Sequence, residues 1–389
     1  MAGFQSYDNI INSLGQGMSR RQEWTKNFNP TTAASSSEFH LLARGTGNPG
    51  ADAIFDAGSN LTFQPVKDST TNANSIYHGG DVQPTYYKSL ATASFTSHGG
   101  TTVPAQAVLI DILGFYRVTT VTTTTAQATT NTLGQSDTFT ADAGTDVCTW
   151  TSTANIPSNI LTGTRVRLTT TTTLPAGLAT ATDYYVIKES DTTFKLATSY
   201  ANAVAGTQIN ITDAGTGTHT VTWLLPRYTN GAGVQAMFFN PAATALGAAT
   251  PSLSLGYTNA IQTASRATPT VLPIGKTAAS NSLILYSGSG SGKYNYSVPL
   301  QAGDTGIAEI NTIQNSTSYV SGTYTVALFR ELTRLPVVVQ NMSTERDLVN
   351  QLPSLPRIYD GAALYWVYGS GAATPTNSSF SGHLEFIWN

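Results

Sequence analysis

Beyond residue 60 the pattern of hydrophobic and polar positions is that of strands. Runs rich in Val, Ile, Thr, Tyr and Phe, bounded by Gly, Pro, Asn or Asp, predict strands over 61–65, 90–97, 106–118, 234–239, 252–257, 282–287, 321–331, 336–340, 361–368 and 380–388. The last alternates cleanly: Phe380, Leu384, Phe386 and Trp388 share one face, while His383 and Glu385 take the other. Helical spacing is rare. Phe4, Tyr7, Ile10, Ile11 and Leu14 recur at three- and four-residue intervals, with Ser6 or Asp8 to cap the helix and Gly15 and Gly17 to stop it. Thr344 with Asp347 has capping-box spacing, and Pro353 ends a turn or two of helix before it. Residues 27–60, rich in Asn, Thr, Ser, Gly and Pro, read as an extended arm. The predicted fold class is all-β.

One phrase occurs twice. Leu225-Pro226-Arg227-Tyr228-Thr229-Asn230-Gly231-Ala232 returns as Leu355-Pro356-Arg357-Ile358-Tyr359-Asp360-Gly361-Ala362, each copy followed by a strand. Asn230-Gly231 and Asp360-Gly361 supply the positive φ that a tight turn needs. Between the copies, residues 134–224 have a rhythm of their own, with predicted strands at 147–152, 164–171, 184–188, 193–197, 207–212 and 218–223. Asp142-Ala143-Gly144-Thr145 and Asp213-Ala214-Gly215-Thr216 echo each other near its ends. Removing 134–224 shortens the distance from Leu113 to Arg227 from 114 residues to about 23, against 25 from Leu332 to Arg357. The segment therefore reads as an insertion in a loop of the first of two related units, where exposed tips tolerate insertions. The expected organisation is a helix and arm over 1–60, a first sandwich- or jelly-roll-like unit over 61–133 plus 225–270, the inserted β module over 134–224, and a second unit over 271–389.

Composition narrows the function classes. Only 11% of the 389 residues are charged, the net charge is −3, and 62 are threonine. Without a clustered basic face, nucleic-acid binding and a polybasic membrane contact are not expected. No apolar run approaches the ~18 residues of a membrane helix, and the first residues lack the charged and apolar regions of a signal peptide. A single cysteine, Cys148, allows neither an intrachain disulfide nor a Cys-based zinc site. Threonine is β-branched, so it favours strands, and its hydroxyl keeps the outer face wet. Such low-charge surfaces, with little lysine to guard sheet edges, suit assembly into a larger shell.

Motifs with chemical associations resolve into turns. Asp304-Thr305-Gly306 has the aspartic-protease triplet, but Ala302-Gly303 precedes it where bulky apolar residues belong. Gly288 to Lys293 lacks the glycine spacing of a phosphate loop and the Ser or Thr after its lysine. His40, His78, His98, His219 and His383 show no ligand spacing, and Asp142, Asp146 and Asp213 suit turns better than calcium. No Gly-x-Ser-x-Gly phrase occurs. Neither catalytic residue, metal nor cofactor is expected. The cluster most like a contact site is Arg20, Arg21 and Trp24, since Trp and Arg are over-represented at hot spots; the alternative is a helix end with solvated arginines and a core Trp. Pro226, Arg227, Asn230, Gly231, Pro356, Arg357, Asp360 and Gly361 are expected to be structural turn residues.

Several of these phrases carry a family resemblance. Leu161-Thr162-Gly163-Thr164-Arg165-Val166, Leu174-Pro175-Ala176-Gly177-Leu178, Asp183-Tyr184-Tyr185-Val186-Ile187, Phe194-Lys195-Leu196-Ala197 and Gly215-Thr216-Gly217-Thr218 resemble, in order and spacing, a small β-module common in tailed-phage virion proteins. The host part, through Leu109 to Tyr116, the two Leu-Pro-Arg phrases and Pro299 to Gly306, is similar to a phage structural family. The resemblance implies a non-enzymatic virion protein: a head decoration or cement protein on the major capsid protein, homo-oligomeric, with a closed trimer as the simplest arrangement. The second reading it leaves is a low-copy tail, neck or head-fibre component that binds host-surface glycans. It transfers no catalytic residue.

Overall fold

The computed structural model of the chain describes residues 4, 6–28, 39–50, 54–56, 61–68, 75–82, 85–98, 105–119, 127–128, 138–151, 161–241, 246, 251–269, 272–273, 283–284, 286–287, 295–317, 322–351, 355–370 and 378–389. The Gly288–Lys293 loop and most of the Thr119–Thr125 run lie outside them. The fold is all-β; among the described residues every strand pairing is antiparallel and there are three short α-helices.

Two strands organise the body. Ala105–Thr119 and Thr323–Val337, 15 residues each, pair along their full lengths. At about 3.3 Å per residue they run roughly 50 Å. Their ladder has two bulges, at Leu113, where Gly114 and Ile112 face consecutive residues Leu328 and Phe329, and at Leu332, between Glu331 and Thr333. Val234–Asn240 lies beside the second long strand and Leu364–Ser370 beside the first. Val234, Arg330, Asp111 and Leu364 form one row of partners. The register is two-fold symmetric about that row. Adding 219 carries the first long strand onto the second, bulge onto bulge. Adding 130 carries Val234–Phe239 onto Leu364–Gly369 and one Leu-Pro-Arg phrase onto the other. Phe39–Leu41 and Leu283–Ile284 bridge the two outer strands, so the sheet closes into a ring. Its interior is filled by Ile110, Ile112, Phe115, Met237, Phe329, Tyr365 and their neighbours.

Two smaller sheets cover the ring's outer face, one at each end of the long strands. A five-stranded sheet, in the order Thr344–Asp347, Lys88–His98, Ser378–Trp388, Ser19–Phe28, Thr46–Gly47, packs around Leu109, Leu335 and Trp366. A four-stranded sheet, in the order Arg266–Ala267, Leu253–Asn259, Ile307–Asn315, Gln127–Ala128, packs around Val234, Phe238 and Val326.

The expected division at 270/271 needs correction. The halves exchange strands: Lys88–His98 pairs with Ser378–Trp388, and Leu253–Asn259 with Ile307–Asn315. Each sandwich is built from both halves, because the long strands run through both. The N-terminal segment is corrected too: Ser19–Phe28 is an inner strand of the five-stranded sheet, and Phe39–Leu41 belongs to the ring. The described part of 1–60 is thus woven into the body. The segment 344–351 divides into strand Thr344–Asp347 and a single helical turn, α3 (Leu348–Gln351), whose Val349 N–H donates to the Asp347 carboxylate at 2.9 Å.

The described residues between 138 and 223 close into a six-stranded barrel, and among them its strands form ladders only with one another. Val166, Leu168, Val186, Phe194, Leu196 and Val221 fill it, and Trp150 stacks on Phe194 at 4.1 Å. The predicted strand 207–212 is not one. The Asp146 carboxylate takes the Ile211 N–H at 2.7 Å, which removes it from any ladder.

Candidate interaction surfaces

The two copies of the repeated phrase fold alike at the turn and differ at the arginine. Gly231 and Gly361 hold φ of 78° and 67°. A Cβ on Gly231 would lie 2.5 Å from the Ala308 nitrogen, so both backbone angle and space require glycine. Arg227 is buried and grips buried Asp111 with two bonds, Nε to Oδ2 at 2.9 Å and Nη2 to Oδ1 at 2.7 Å. It also donates to the carbonyls of Val66 and Ile112. Asp111 accepts the Ala363 N–H at 2.9 Å, which ties the second phrase into the same knot. Arg357 instead lies between the rings of Tyr87 and Tyr359, at 4.3 and 4.1 Å. The phrases touch: Tyr228 meets Tyr359 edge-on at 4.9 Å, and its hydroxyl donates to the Arg357 carbonyl. Asn230 accepts the Ala232 N–H, Asp360 accepts the Val82 N–H, and the Pro356 carbonyl accepts the Leu90 N–H. Pro226 borders a small cleft against the barrel.

The barrel is seated on the body by a charged knot. Tyr200, from α2 (Tyr200–Val204), donates to Asp81 at 2.6 Å. The Lys67 ammonium donates to the Thr162 carbonyl at 3.1 Å and sits 4.7 Å from the centre of the Tyr200 ring. Asp81 also accepts the Gly361 N–H. Behind it lies buried His78, whose Nδ1 faces the Lys88 ammonium at 3.3 Å. A charged lysine can only donate, so Nδ1 accepts and the ring proton sits on Nε2, 3.9 Å from both Asp68 and Asp81. Burial first and Lys88 second push the His78 pKa down to about 3. Burial also lowers Lys88 to about 8 and raises Tyr200.

Of Arg20, Arg21 and Trp24, the candidate contact cluster, the arginines are at the surface and the tryptophan is not. Trp24 is 2% exposed, packed against Phe95 and Trp366 at 5.3 and 5.6 Å, so it is a core residue, as the alternative reading has it, but on a strand and not at a helix end; the contact reading of Trp24 is corrected. Strand alternation turns Arg21 outward, paired with exposed Glu23 at 2.6 Å, and Arg20 lies over Tyr77. A more exposed apolar surface lies nearby. On α1 (Tyr7–Gly15), Ile10 packs against Ala91 and Ile387, while Tyr7, Ile11 and Leu14 remain 58%, 62% and 44% exposed. Their four- and three-residue spacing was the available signal; it makes one stripe, and the single predicted apolar face divides in two.

Asp304 anchors a turn. It accepts from the Tyr257 hydroxyl at 2.5 Å, Asn259 Nδ2 at 2.7 Å and Arg266 Nε at 3.0 Å, and the Arg266 and Tyr257 bonds lead in lowering its pKa to about 2. Asp142, Asp146 and Asp213 each accept backbone N–H groups. Among the described residues no three His, Cys, Asp or Glu side chains gather as ligands for a metal, and no helix is long and apolar enough to cross a membrane.

No protein-family model and no curated protein matches the sequence. Among solved structures, the chain is similar to VP2 of infectious bursal disease virus in a subviral particle, at 10% identity over 95% of this chain and 80% of that one, with a TM-score of 0.17. A structure of the Gt strain of the same virus gives the same figures, and derived T=1 particles give 9% identity over 95% and 77%, again at 0.17. At that score the likeness to viral particle proteins is too slight to carry a shared fold.

Proposed function

We propose that this chain is a structural protein of a tailed-phage virion and that it decorates the head shell, bound to the major capsid protein. The observation that carries the reading is the apolar stripe of Tyr7, Ile11 and Leu14, held out from an otherwise low-charge β body by a helix fixed on its other face. Exposed apolar patches on rigid supports mark contact sites. The phage-like phrases of the body and barrel support the same reading. A homo-oligomer, with a closed trimer as the simplest form, would present several stripes at once, and repeated modest contacts then hold by avidity.

The test is binding to shells that lack the protein. The double variant Ile11→Glu, Leu14→Glu is expected to lose shell binding while keeping its melting temperature, since neither side chain is in the core. Undiminished binding would refute the stripe as the contact. The second reading, a low-copy tail, neck or head-fibre component that binds host-surface glycans, differs both in copy number and in the partner it contacts.

A further inference from the structure

The seam between barrel and body holds two clefts that meet at Thr229, both of which it lines. The larger, about 480 Å³, lies between barrel residues Arg165, Arg167 and Thr222 and body residues Asn230, Gln262 and Glu309. That volume falls within the roughly 300–1,000 Å³ of ligand sites, and inter-domain seams are where such sites occur. The smaller, about 170 Å³, is lined by Tyr185 and Tyr200 of the barrel and Tyr228, Tyr359 and Asp360 of the body. All four rings are half-buried.

Three features distinguish this seam from an incidental gap. Its charges cancel in the larger cleft: Arg165 and Arg167 both bind Asp183, and Glu309 supplies the second carboxylate. What remains to meet a ligand is amide, hydroxyl and guanidinium hydrogen-bonding capacity without net charge. Its aromatic walls are fixed in advance. Tyr200 is held by Asp81 and Lys67, Tyr228 by Arg330 at 5.6 Å and the Arg357 carbonyl, and Tyr359 by Arg357. Ordering costs on binding are thereby reduced. Its rim carries backbone strain: exposed Gln262 has φ of 65°, and the Asp304–Asn259 hydrogen bond, with Asn259 capping Thr263, holds that turn in place. Non-glycine residues in the left-handed region persist where surrounding structure fixes them, and they gather at binding sites.

We infer that this seam binds a neutral oligosaccharide, with sugar faces against the tyrosines of the smaller cleft and hydroxyls against the amides and charged pairs of the larger. Polyhydroxylated rings match fixed aromatic walls beside uncharged hydrogen-bonding groups; a polyanion would find no net positive charge in the larger cleft. The inference gives the glycan binding of the second reading a place on the molecule, and it holds whether the protein sits on head or tail.

The experiment uses the full chain on an array of immobilised oligosaccharides, neutral ones of hexose and N-acetylhexosamine beside uronate- and sialate-containing ones. Binding to neutral members is expected, weakened about tenfold or more by Gln262→Gly and by Tyr359→Ala. Gln262→Gly keeps the turn's backbone angle while removing the amide, so it reports on the site if Tyr359→Ala disturbs folding; melting temperatures verify both. Neutral binding that neither variant changes would leave glycan binding standing and overturn the seam as its site. Binding only to acidic members would overturn the ligand class, and binding to none would overturn both.

Discussion

At the scale of single residues, the two copies of Leu-Pro-Arg show how one phrase serves two purposes. Arg227 and Asp111 lie in the middle of the body, almost without solvent, and together they join the first phrase, a long strand and the second phrase. Removing one partner leaves the other charge buried and uncompensated. Asp111→Ala is therefore expected to cost about 3–5 kcal/mol in urea unfolding, whereas Arg357→Ala, which loses ring contacts at a half-buried site, is expected to cost about 1 kcal/mol. Equal losses would mean that the two arginines are equivalent in energy. The shared Leu-Pro-Arg gives no sign of this difference; it lies in the partner strand, where the position equivalent to Asp111 is Arg330. Lys26 is a similar case. It breaks the apolar alternation of Trp24 and Phe28, so the sequence does not show Ser19–Phe28 as a strand. The structure buries it because the carbonyls of Gly45, Pro49 and Gly50 receive its ammonium.

At the scale of elements, the barrel is the most self-contained piece. Among the described residues its six strands form ladders only with one another, and its core is its own apart from packing near Trp223 and Leu225 against Phe63 and its neighbours. The isolated segment 134–224 is accordingly expected to unfold cooperatively with a β-sheet circular-dichroism spectrum; a featureless coil would show that it needs the body to fold. Strand positions were largely legible in the sequence: 106–118 became Ala105–Thr119, 234–239 became Val234–Asn240, and 380–388 became Ser378–Trp388. Strand partners were not. In a chain with two related units, pairing within a unit and pairing across units bury the same residue types, so period and composition do not choose between them. The long strands decide it, since each extends past its own sandwich into the other. The seam clefts were likewise illegible, because Tyr185, Gln262 and Tyr359 are brought together only by that exchange and by the seating of the barrel.

At the scale of the whole molecule, a closed ring with a sandwich layer at each end and a barrel lashed to its flank gives a rigid β body. Its helix α1 presents an apolar stripe on one side, and its barrel makes a polar, aromatic seam elsewhere. That arrangement suits a component that sits on a larger assembly and meets other molecules through fixed surfaces. In the proposed function that assembly is a phage head shell covered by many copies. The most direct measurement is the copy number of this chain, relative to the major capsid protein, in purified particles of the proposed phage. A coat held by repeated contacts requires on the order of hundreds of copies per particle; about a dozen or fewer would contradict shell decoration and place the protein at the neck, tail or fibre instead.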